Sequence, residues 1–390
     1  MDKNVSKKVF VAISGGVDSS VAALLLRDEG YDVTGVFMYC YNLDGCVQRD
    51  AIDARRVASE LKIPFYVWDF EKEYKKRVVN YMIDGYKRGI TPNPDVMCNK
   101  EIKFGLFLEK ALSMGADFVA TGHYIRLRRN FQFPISNFQT NSKFKIQNSK
   151  FTLWQAKDSN KDQSYFLWTL TQSQLKHCLF PIGDYLKSEV REMARKAKLL
   201  TAEKKDSQGI CFLGKVTLSD FLKEYISSKP GAILTEGGKK IGEHKGVEFY
   251  TIGQRHVGVG GLPSPHYVAA KDMETNTLVV AEGSDNSALY KNEAELTDVN
   301  FINPNTPFLI RANKKIDVLA RVRYRQPLAK ATLYRTPSTS SGFRIVFDNP
   351  QKFVAPGQSA VFYSQEGNPS IHSGRNFGEF RMLGGGVIMK

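Results

Sequence analysis

Short apolar runs alternate with amphipathic stretches in the first third of the chain. The runs predict buried strands at residues 9–13, 32–38, 65–70 and 117–121. Apolar residues at helical spacing predict helices at 18–29, 50–62, 71–88 and 100–114. Strands that alternate with helices predict an α/β fold with a doubly wound parallel sheet. Ligands of such sheets bind at the carboxyl ends of the strands, near the point where the strand order reverses.

The pattern changes along the rest of the chain. Residues 130–151 lack helical spacing and predict an inserted hairpin or mobile loop, and residues 187–198 predict one more helix. Glycine becomes frequent from about residue 207, and short alternating strands from about residue 283 predict a small antiparallel β-barrel. The predicted organisation is an α/β domain at 1–206, a β-rich domain at 207–282 and a barrel at 283–390 with a second insertion at 365–380.

Composition excludes two classes of protein. With 42% hydrophobic and 24% charged residues, the 390-residue chain has the material for packed cores and is not mainly disordered. Its apolar runs are all shorter than the roughly 18 residues that a membrane-spanning helix needs. The five cysteines are widely spread and odd in number, which argues against a secreted disulfide framework. Since the N-terminus also lacks the pattern of an export signal, we expect a cytoplasmic protein.

Positive charge points to an anionic partner. Lysine and arginine number 55 against 40 acidic residues, a net charge of +15, which favours nucleic acid. Within 311–335, Arg321, Arg323 and Arg325 are predicted to share one face of a strand, with Val322 and Tyr324 on the other. Such a strand suits phosphate contacts by the arginines and stacking of the tyrosine on a base. A solvent-exposed edge strand, whose charges prevent pairing with another chain, would show the same pattern.

A phosphate-binding loop is predicted between the first strand and the first helix. Its sequence, Ser14-Gly-Gly-Val-Asp-Ser-Ser20, combines two glycines, three hydroxyls and a helix N-terminus, which together suit an anion. It matches neither the Walker A pattern nor the dinucleotide-binding fingerprint. The simpler alternative is an ordinary strand-to-helix turn.

Two cysteines lie in contexts that favour a reactive thiolate. Cys98 follows a proline-rich turn, is predicted to lie just before a helix start, and has Lys100 close by. Asp95 in the same turn could act as an acid or base, or simply cap the turn. Cys211 follows Lys204 and Lys205. For either cysteine the alternative is a small buried hydrophobic residue, which is also our interpretation of Cys40, Cys46 and Cys178.

The order of the motifs carries a resemblance to a known family. The chain contains, in sequence, SGGVDSS, TPNPDVMCNKEIKF, ATGHY, SNKDQSYFLW, KKDSQGICF, GQRHVGVGG, RYRQ and PGQSAVFY. The first motif resembles the PP-loop of the N-type ATP pyrophosphatases. The whole set, from residue 8 to about 364 with the closing GGGVIM, resembles the bacterial tRNA-specific 2-thiouridylase (MnmA) family.

This resemblance implies a sulfurtransferase reaction. The family uses ATP and Mg²⁺ to adenylate the C2 oxygen of the wobble uridine of tRNA, and a cysteine persulfide then delivers sulfur to C2. The products are 2-thiouridine, AMP and pyrophosphate. Carried over by motif, Cys211 would bear the persulfide, Cys98 would be the partner nucleophile that forms a disulfide with it, and Asp95 would be a general acid or base.

The resemblance also implies ligand contacts. The implied ATP contacts are Ala12, Ile13, Ser14, Gly15, Gly16, Val17, Asp18, Ser19, Met38 and Gly122. The implied tRNA contacts are Asn93, Pro94, Asp95, His123, Lys161, Asp162, Gln163, Arg323, Tyr324 and Gln358. Met38 could instead be a core methionine, and His123 a hydrogen-bonded histidine at a strand end.

The implied partners are tRNA and a persulfide donor protein or relay, with no membrane, DNA or protein-held metal site. Two other functions fit part of the sequence. A PP-loop ligase for a small molecule would explain the loop but neither cysteine motif. An RNA-binding protein with a vestigial nucleotide site would explain the charge and the barrel.

Overall fold

A computed structural model describes residues 6–41, 43, 45–129, 151–206, 212–214, 216–260, 264–306, 315–336, 342–365 and 380–389. The bulk of both predicted insertions, at 130–151 and 365–380, lies outside these residues. So does Cys211.

The described strands form three sheets. In chain order they are β1 (Lys8–Ala12), β2 (Asp32–Tyr39), β3 (Phe65–Asp69), β4 (Phe118–Ala120), β5 (Ile125–Arg129), β6 (Phe151–Gln155), β7 (Cys178–Leu179), β8 (Gly231–Thr235), β9 (Lys240–His244), β10 (His266–Asp272), β11 (Thr277–Glu282), β12 (Tyr290–Phe301), β13 (Lys315–Arg321), β14 (Ala329–Arg335), β15 (Phe343–Lys352), β16 (Ser359–Gln365) and β17 (Phe380–Ile388).

The described helices lie mainly in the first half of the chain. They are α1 (Val17–Asp28), α2 (Cys46–Glu60), α3 (Glu71–Tyr74), π1 (Lys75–Val79), α4 (Asn80–Lys87), α5 (Pro94–Cys98), π2 (Asn99–Leu106), α6 (Phe107–Ser113), α7 (Gln172–Leu175), α8 (Lys187–Lys196) and α9 (Leu218–Lys223). Short 3₁₀ turns occupy Ser164–Phe166, Val247–Phe249 and Ser287–Leu289.

A five-stranded parallel sheet organises the N-terminal part, in the order β3-β2-β1-β4-β7. Alternate residues of β1 enter different cores: Val9 and Val11 pack with α1 and α2, whereas Phe10 and Ala12 pack with the α3–α6 side. Because the sheet is buried on both faces, its strands are continuous apolar runs in the sequence. The predicted doubly wound parallel sheet is confirmed.

The helix that carries Cys98 begins earlier than predicted. The segments α5, π2 and α6 run on without a break from Pro94, so the prediction that Cys98 precedes the helix is wrong. The physical reason is a cap: Asn93 Oδ1 accepts from Val96 N at 3.2 Å, and Pro94 occupies the first helical turn. Cys98 therefore lies one turn inside the helix.

The remaining sheets are smaller. A mixed sheet in the order β10-β11-β8-β9 encloses its own core, and β12-β15-β14-β13-β16-β17 closes into an antiparallel barrel through the pairing of β12 with β17. The predicted C-terminal barrel is confirmed. The β5–β6 hairpin, which flanks the 130–150 segment, pairs with β17 through Trp154 and Arg381, so the barrel sheet continues into the N-terminal part.

The predicted arginine face on the barrel is wrong. Strand β13 ends at Arg321, and the chain then turns through residues 322–326, with Arg325 at a φ of 64°. Because β14 must return antiparallel to β13, the chain reverses here, and the two-residue side-chain period holds only within a strand. The three arginines consequently point into different surroundings.

Candidate active site

The loop after β1 presents backbone donors at a helix N-terminus. Gly15 has a φ of 74°, and a Cβ there would lie 2.5 Å from the carbonyl oxygen of Asp50, so the position requires glycine. Helix α1 follows Gly16 with no side-chain cap. The first N–H groups of a helix have no partner within it and suit an anion such as phosphate.

The loop hydroxyls have different roles. Ser19 Oγ accepts from Ser14 N at 3.1 Å and donates to the Gly16 carbonyl at 3.2 Å, and Ser20 Oγ donates to the same carbonyl at 2.8 Å. Both of these side chains are buried and shape the loop. Ser14 is exposed and can present its hydroxyl to a ligand.

The loops after β1, β2 and β4 meet at one edge of the sheet. A Cβ at Gly122, which follows β4, would lie 2.6 Å from Ser19 N, so this backbone packs directly on the start of α1. Met38 lies near the end of β2 and is half-buried. Strand β1 has β2 on one side and β4 on the other, which makes this edge the point where the strand order reverses.

Asp18 connects the loop to α8. Its carboxylate accepts from Tyr124 Oη at 2.9 Å and from Lys187 Nζ at 2.7 and 2.8 Å. Lys187 is the first residue of α8, and its side chain is only 11% exposed. The sequence reasoning missed Lys187, because no pattern near it marks a ligand site.

The same lysine contacts Asp206, the last described residue before Cys211. Asp206 pairs with Lys187 Nζ at 2.9 Å, with Lys161 Nζ at 2.6 Å and with Arg191 at 2.9 Å. Burial alone would raise the pKa of Asp206, but the hydrogen bonds from Lys161 and Lys187 outweigh it and lower that pKa to about 2. The carboxylate is therefore charged at neutral pH.

Phe212 fixes the chain on the other side of Cys211. Its ring is buried and lies 6.2 Å from the ring of Tyr41 and 5.8 Å from that of Tyr74. Its carbonyl accepts from Leu43 N at 3.3 Å. Both flanks of the predicted persulfide residue are thus anchored near the carboxyl edge of the sheet.

Cys98, Asp95 and Asn99 share one part of the α5–π2 helix. Cys98 is 6% exposed, and burial raises the pKa of the Asp95 carboxyl, although Lys103 opposes the shift. A raised pKa suits a group that donates a proton. The side-chain amide of Asn99 donates to the Phe166 carbonyl at 3.2 Å, while its Oδ1 is buried with no hydrogen-bond partner.

Cys178 has the surroundings of an inert thiol. It is fully buried, burial raises its pKa far above the usual range, and its Sγ donates to the Gln174 carbonyl at 3.2 Å. These surroundings agree with its interpretation as a small core residue.

Several implied tRNA contacts are bonded within the protein. The side chain of Asp162 is 1% exposed and accepts from Ser164 Oγ at 2.8 Å, Gln155 Nε2 at 3.0 Å and Arg321 at 3.4 Å. His123 is buried, and its Nδ1 lies 2.7 Å from Thr121 Oγ1. Burial, with a further contribution from Lys103, holds the pKa of His123 well below its usual value, so the ring is neutral.

Other implied contacts join the barrel to the Asn93–Pro94 turn. Gln358 Nε2 donates to the Thr91 carbonyl at 3.0 Å, and Thr91 N donates to the Pro356 carbonyl at 2.8 Å. Arg323 donates to the carbonyl of Phe353 at 3.1 Å and to that of Ile252. These side chains link parts of the chain that are distant in sequence.

An aromatic pair links the barrel to the helix of Cys98. The ring of Tyr324 lies 4.6 Å from that of Phe166, whose carbonyl holds Asn99. Both rings are half-buried, and Arg325 lies over Tyr324 at 5.2 Å. Lys161 and Gln163 are also half-buried and keep part of their surface open. Phe166 lies within the SNKDQSYFLW motif, but the motif alone assigned it no role.

Two further observations concern metal ligands and membrane-spanning helices. Among the described residues, no three histidine, cysteine, aspartate or glutamate side chains gather as metal ligands would. In the same part of the chain, no helix combines the length and apolar character needed to cross a bilayer.

Family models match almost the whole chain. A model described as a tRNA methyl transferase HUP domain matches residues 7–215, one described as a tRNA methyl transferase PRC-barrel domain matches 219–282, and one described as an aminomethyltransferase beta-barrel domain matches 291–375.

Curated relatives match over the same length. The chain is 43% identical to the tRNA-specific 2-thiouridylase MnmA of Staphylococcus epidermidis over 369 residues, which covers 93% of this chain and 94% of the relative. It is 45% identical to MnmA 1 of Geobacillus kaustophilus, with coverage of 92% and 93%. It is 43% identical to MnmA of Bacillus subtilis, with coverage of 92% of each chain.

Proposed function

Because the chain belongs to the tRNA-specific 2-thiouridylase family, we propose that it is an ATP-dependent tRNA-uridine 2-sulfurtransferase. The observation that supports this most directly is the structure of the loops after β1 and β4, which we call the nucleotide cradle. There, Gly15 and Gly122 allow close backbone approaches that a Cβ would block. The relatives align across the barrel as well as the cradle. Such alignment does not favour a PP-loop ligase for a small molecule or a vestigial nucleotide site.

The first step activates the uridine. The C2 oxygen of the wobble uridine attacks the α-phosphorus of ATP, and pyrophosphate leaves. The open N–H groups at the start of α1 and the exposed Ser14 hydroxyl would hold the phosphates. A carbonyl oxygen is a poor leaving group, whereas AMP is a good one.

Mg²⁺ would enter with ATP. Asp18 is the carboxylate within the loop, but its oxygens already accept from Tyr124 and Lys187, so it does not form a complete metal site. Mg²⁺ commonly binds through substrate phosphates, water and one or two carboxylates, which fits this loop. The ion would offset charge on the phosphates.

The second step transfers sulfur. The terminal sulfur of a Cys211 persulfide attacks C2, and AMP leaves. The Cys98 thiolate then attacks Cys211 Sγ, the S–S bond to the transferred sulfur breaks, and its electron pair stays with that sulfur as 2-thiouridine. The resulting Cys98–Cys211 disulfide must be reduced by a thiol, and a persulfide donor must reload Cys211. Asp95, whose pKa is raised by burial, would act as the general acid or base.

The tRNA would contact the half-buried surface formed by Lys161, Gln163 and Tyr324. We propose that Asp162, His123, Arg323 and Gln358 act mainly by holding this surface in place, since protein atoms bind their polar groups. With tRNA as its substrate, we propose that the protein works in the cytoplasm.

Mass spectrometry of nucleosides tests the reaction. Unmodified tRNA is incubated with the protein, MgATP, glutathione persulfide as the sulfur source and glutathione as the reductant. We expect 2-thiouridine at the wobble position, lost in Cys211→Ser with tRNA binding nearly intact. Cys178→Ala is the matched control and should still thiolate, because Cys178 is a core residue. Thiolation by Cys211→Ser would overturn the persulfide assignment, and AMP release without thiolation from any sulfur source would favour another PP-loop reaction.

A further inference from the structure

Asp206 lies where three parts of the proposed reaction converge. One of its partners, Lys161, belongs to the turn that we propose contacts tRNA. A second, Lys187, also holds Asp18 of the nucleotide loop. Asp206 itself directly precedes the segment that leads to Cys211. Among the described residues, no other carboxylate accepts hydrogen bonds from basic side chains of both the nucleotide-binding region and the proposed tRNA-binding region.

We propose that the Asp206 carboxylate is a positioning residue that couples occupancy of the nucleotide loop and of the tRNA-contact turn to the sulfur-transfer step. This inference rests on the proposed function. It adds a role for a residue outside the nucleotide loop and outside both cysteine positions.

The physical basis is competition for cations. ATP and tRNA are both polyanions, and phosphate oxygens, like carboxylates, accept charge-assisted hydrogen bonds from lysine. The side chains of Lys161 and Asp206 are each about 30% exposed, so a phosphodiester can reach this pair. A phosphate that draws Lys161 or Lys187 toward itself weakens that cation's bond to Asp206. The hydrogen bonds at the start of the Cys211 segment therefore depend on which substrates are bound.

A second contact keeps the neighbouring chain in place when Asp206 is altered. Lys204 Nζ pairs with Asp50 at 2.8 Å and with Asp53 at 2.6 Å, both on α2. Arg191 also donates to the carbonyls of Ala202 and Lys204 at 2.7 and 3.0 Å. Loss of the Asp206 charge should therefore alter positioning without unfolding the region.

The test measures two products in the same reaction. Asp206→Asn keeps the shape of the side chain and removes its charge. In a single turnover, with the protein in excess over unmodified tRNA and with MgATP, glutathione persulfide and glutathione at saturation, tRNA-dependent pyrophosphate release and 2-thiouridine formation are followed together. We expect the rate of pyrophosphate release to stay within about threefold of wild type while thiolation falls about 10- to 100-fold, the size of effect that misplacement by about 1 Å produces. The ratio of the rate of pyrophosphate release to the rate of 2-thiouridine formation then rises by a similar factor.

Glu203→Gln is the matched control. Glu203 is three residues away and 73% exposed, and its ion pair is with Arg195 on the outside of α8. The control should leave the ratio unchanged. Asp206→Glu, which keeps the charge but shifts it by one methylene, should give an intermediate ratio and provides the test if Asp206→Asn does not fold.

Three outcomes would overturn the inference. Equal losses of pyrophosphate release and 2-thiouridine formation would show that Asp206 serves the nucleotide site or the fold alone. An unchanged ratio in both Asp206 variants would show no coupling, and an equal rise in Glu203→Gln would show a general charge effect. Failure of the proposed function is distinguishable, because the wild-type protein would then form no 2-thiouridine.

Discussion

Two clusters in this protein each pair an aspartate with basic side chains, but the clusters differ in how far those side chains are buried. In the cluster around Asp206, the partners Lys161, Lys187 and Arg191 are 31%, 11% and 22% exposed. In the cluster at the base of the barrel, Arg321 is 7% exposed and its partner Asp162 only 1%. The first cluster is open to a competing anion, whereas the second is sealed between the barrel and the N-terminal part. Basic residues near a proposed tRNA site therefore need not contact tRNA.

Arg321→Met gives the largest expected effect. It leaves Asp162 buried without its cation, and breaking a buried pair in this way typically destabilises a protein by about 3 kcal/mol or more. The apparent free energy of unfolding, measured with urea, should fall accordingly. Arg325→Met is the control: Arg325 is exposed, and surface changes usually stay within about 0.5 kcal/mol. Equal free energies of unfolding for the two variants would contradict this distinction between the buried and the open cluster.

The pH dependence of stability should separate Asp206 from Asp95. The pKa of Asp206 is lowered to about 2, so its contribution is present above the unfolded pKa and is lost as pH falls toward 2. A shift of this size corresponds to about 2 kcal/mol, an upper limit for a partly exposed group. Wild type should exceed Asp206→Asn in stability at pH 7, and the gap should close in acid.

Asp95 should show the opposite sign. Burial raises its pKa, so its contribution to stability is present at low pH and is lost as pH rises through the folded pKa. Asp95→Asn should therefore gain stability relative to wild type as pH rises. Thermal unfolding midpoints between pH 2 and 8 compare each variant with wild type, and parallel curves for the two variants would contradict this sign difference.

The smallest effect concerns the salt dependence of tRNA binding. Arg325 is exposed beside Tyr324, so Arg325→Gln should reduce the slope of log affinity against log salt by about 1 with little loss of stability. Arg323→Gln should leave that slope unchanged, because its guanidinium binds the carbonyls of Phe353 and Ile252. A lower slope in Arg323→Gln alone would place Arg323 at the RNA surface instead.

Features fixed by neighbouring residues were predictable from the sequence. The parallel strands and the loop at Ser14–Ser20 follow from apolar runs, glycines and a helix start that lie next to each other in the chain. The start of the Cys98 helix was also readable in principle, because Asn93 and Pro94 carry a cap signal that the prediction did not use.

Features fixed by distant residues were not predictable in this way. The turn after Arg321, the bonds from Arg323 to Ile252 and Phe353, and the grouping of Asp18, Lys187 and Asp206 depend on contacts between remote segments. Side-chain period and local charge do not report such contacts. The domain boundaries, the roles of Cys98 and Asp95, and the remaining ligand contacts stay predictions.

Because the β5–β6 hairpin pairs with β17, this part of the fold can be completed only after β17 has been synthesised. Strand β6 cannot pair with β17 until β17 has been translated, more than two hundred residues later. The barrel closes only when β17 also pairs with β12. A ribosome that stops early would release a chain with unpaired strand edges, which favour aggregation and invite degradation. In the cell, this arrangement would favour the survival of chains that were translated through β17.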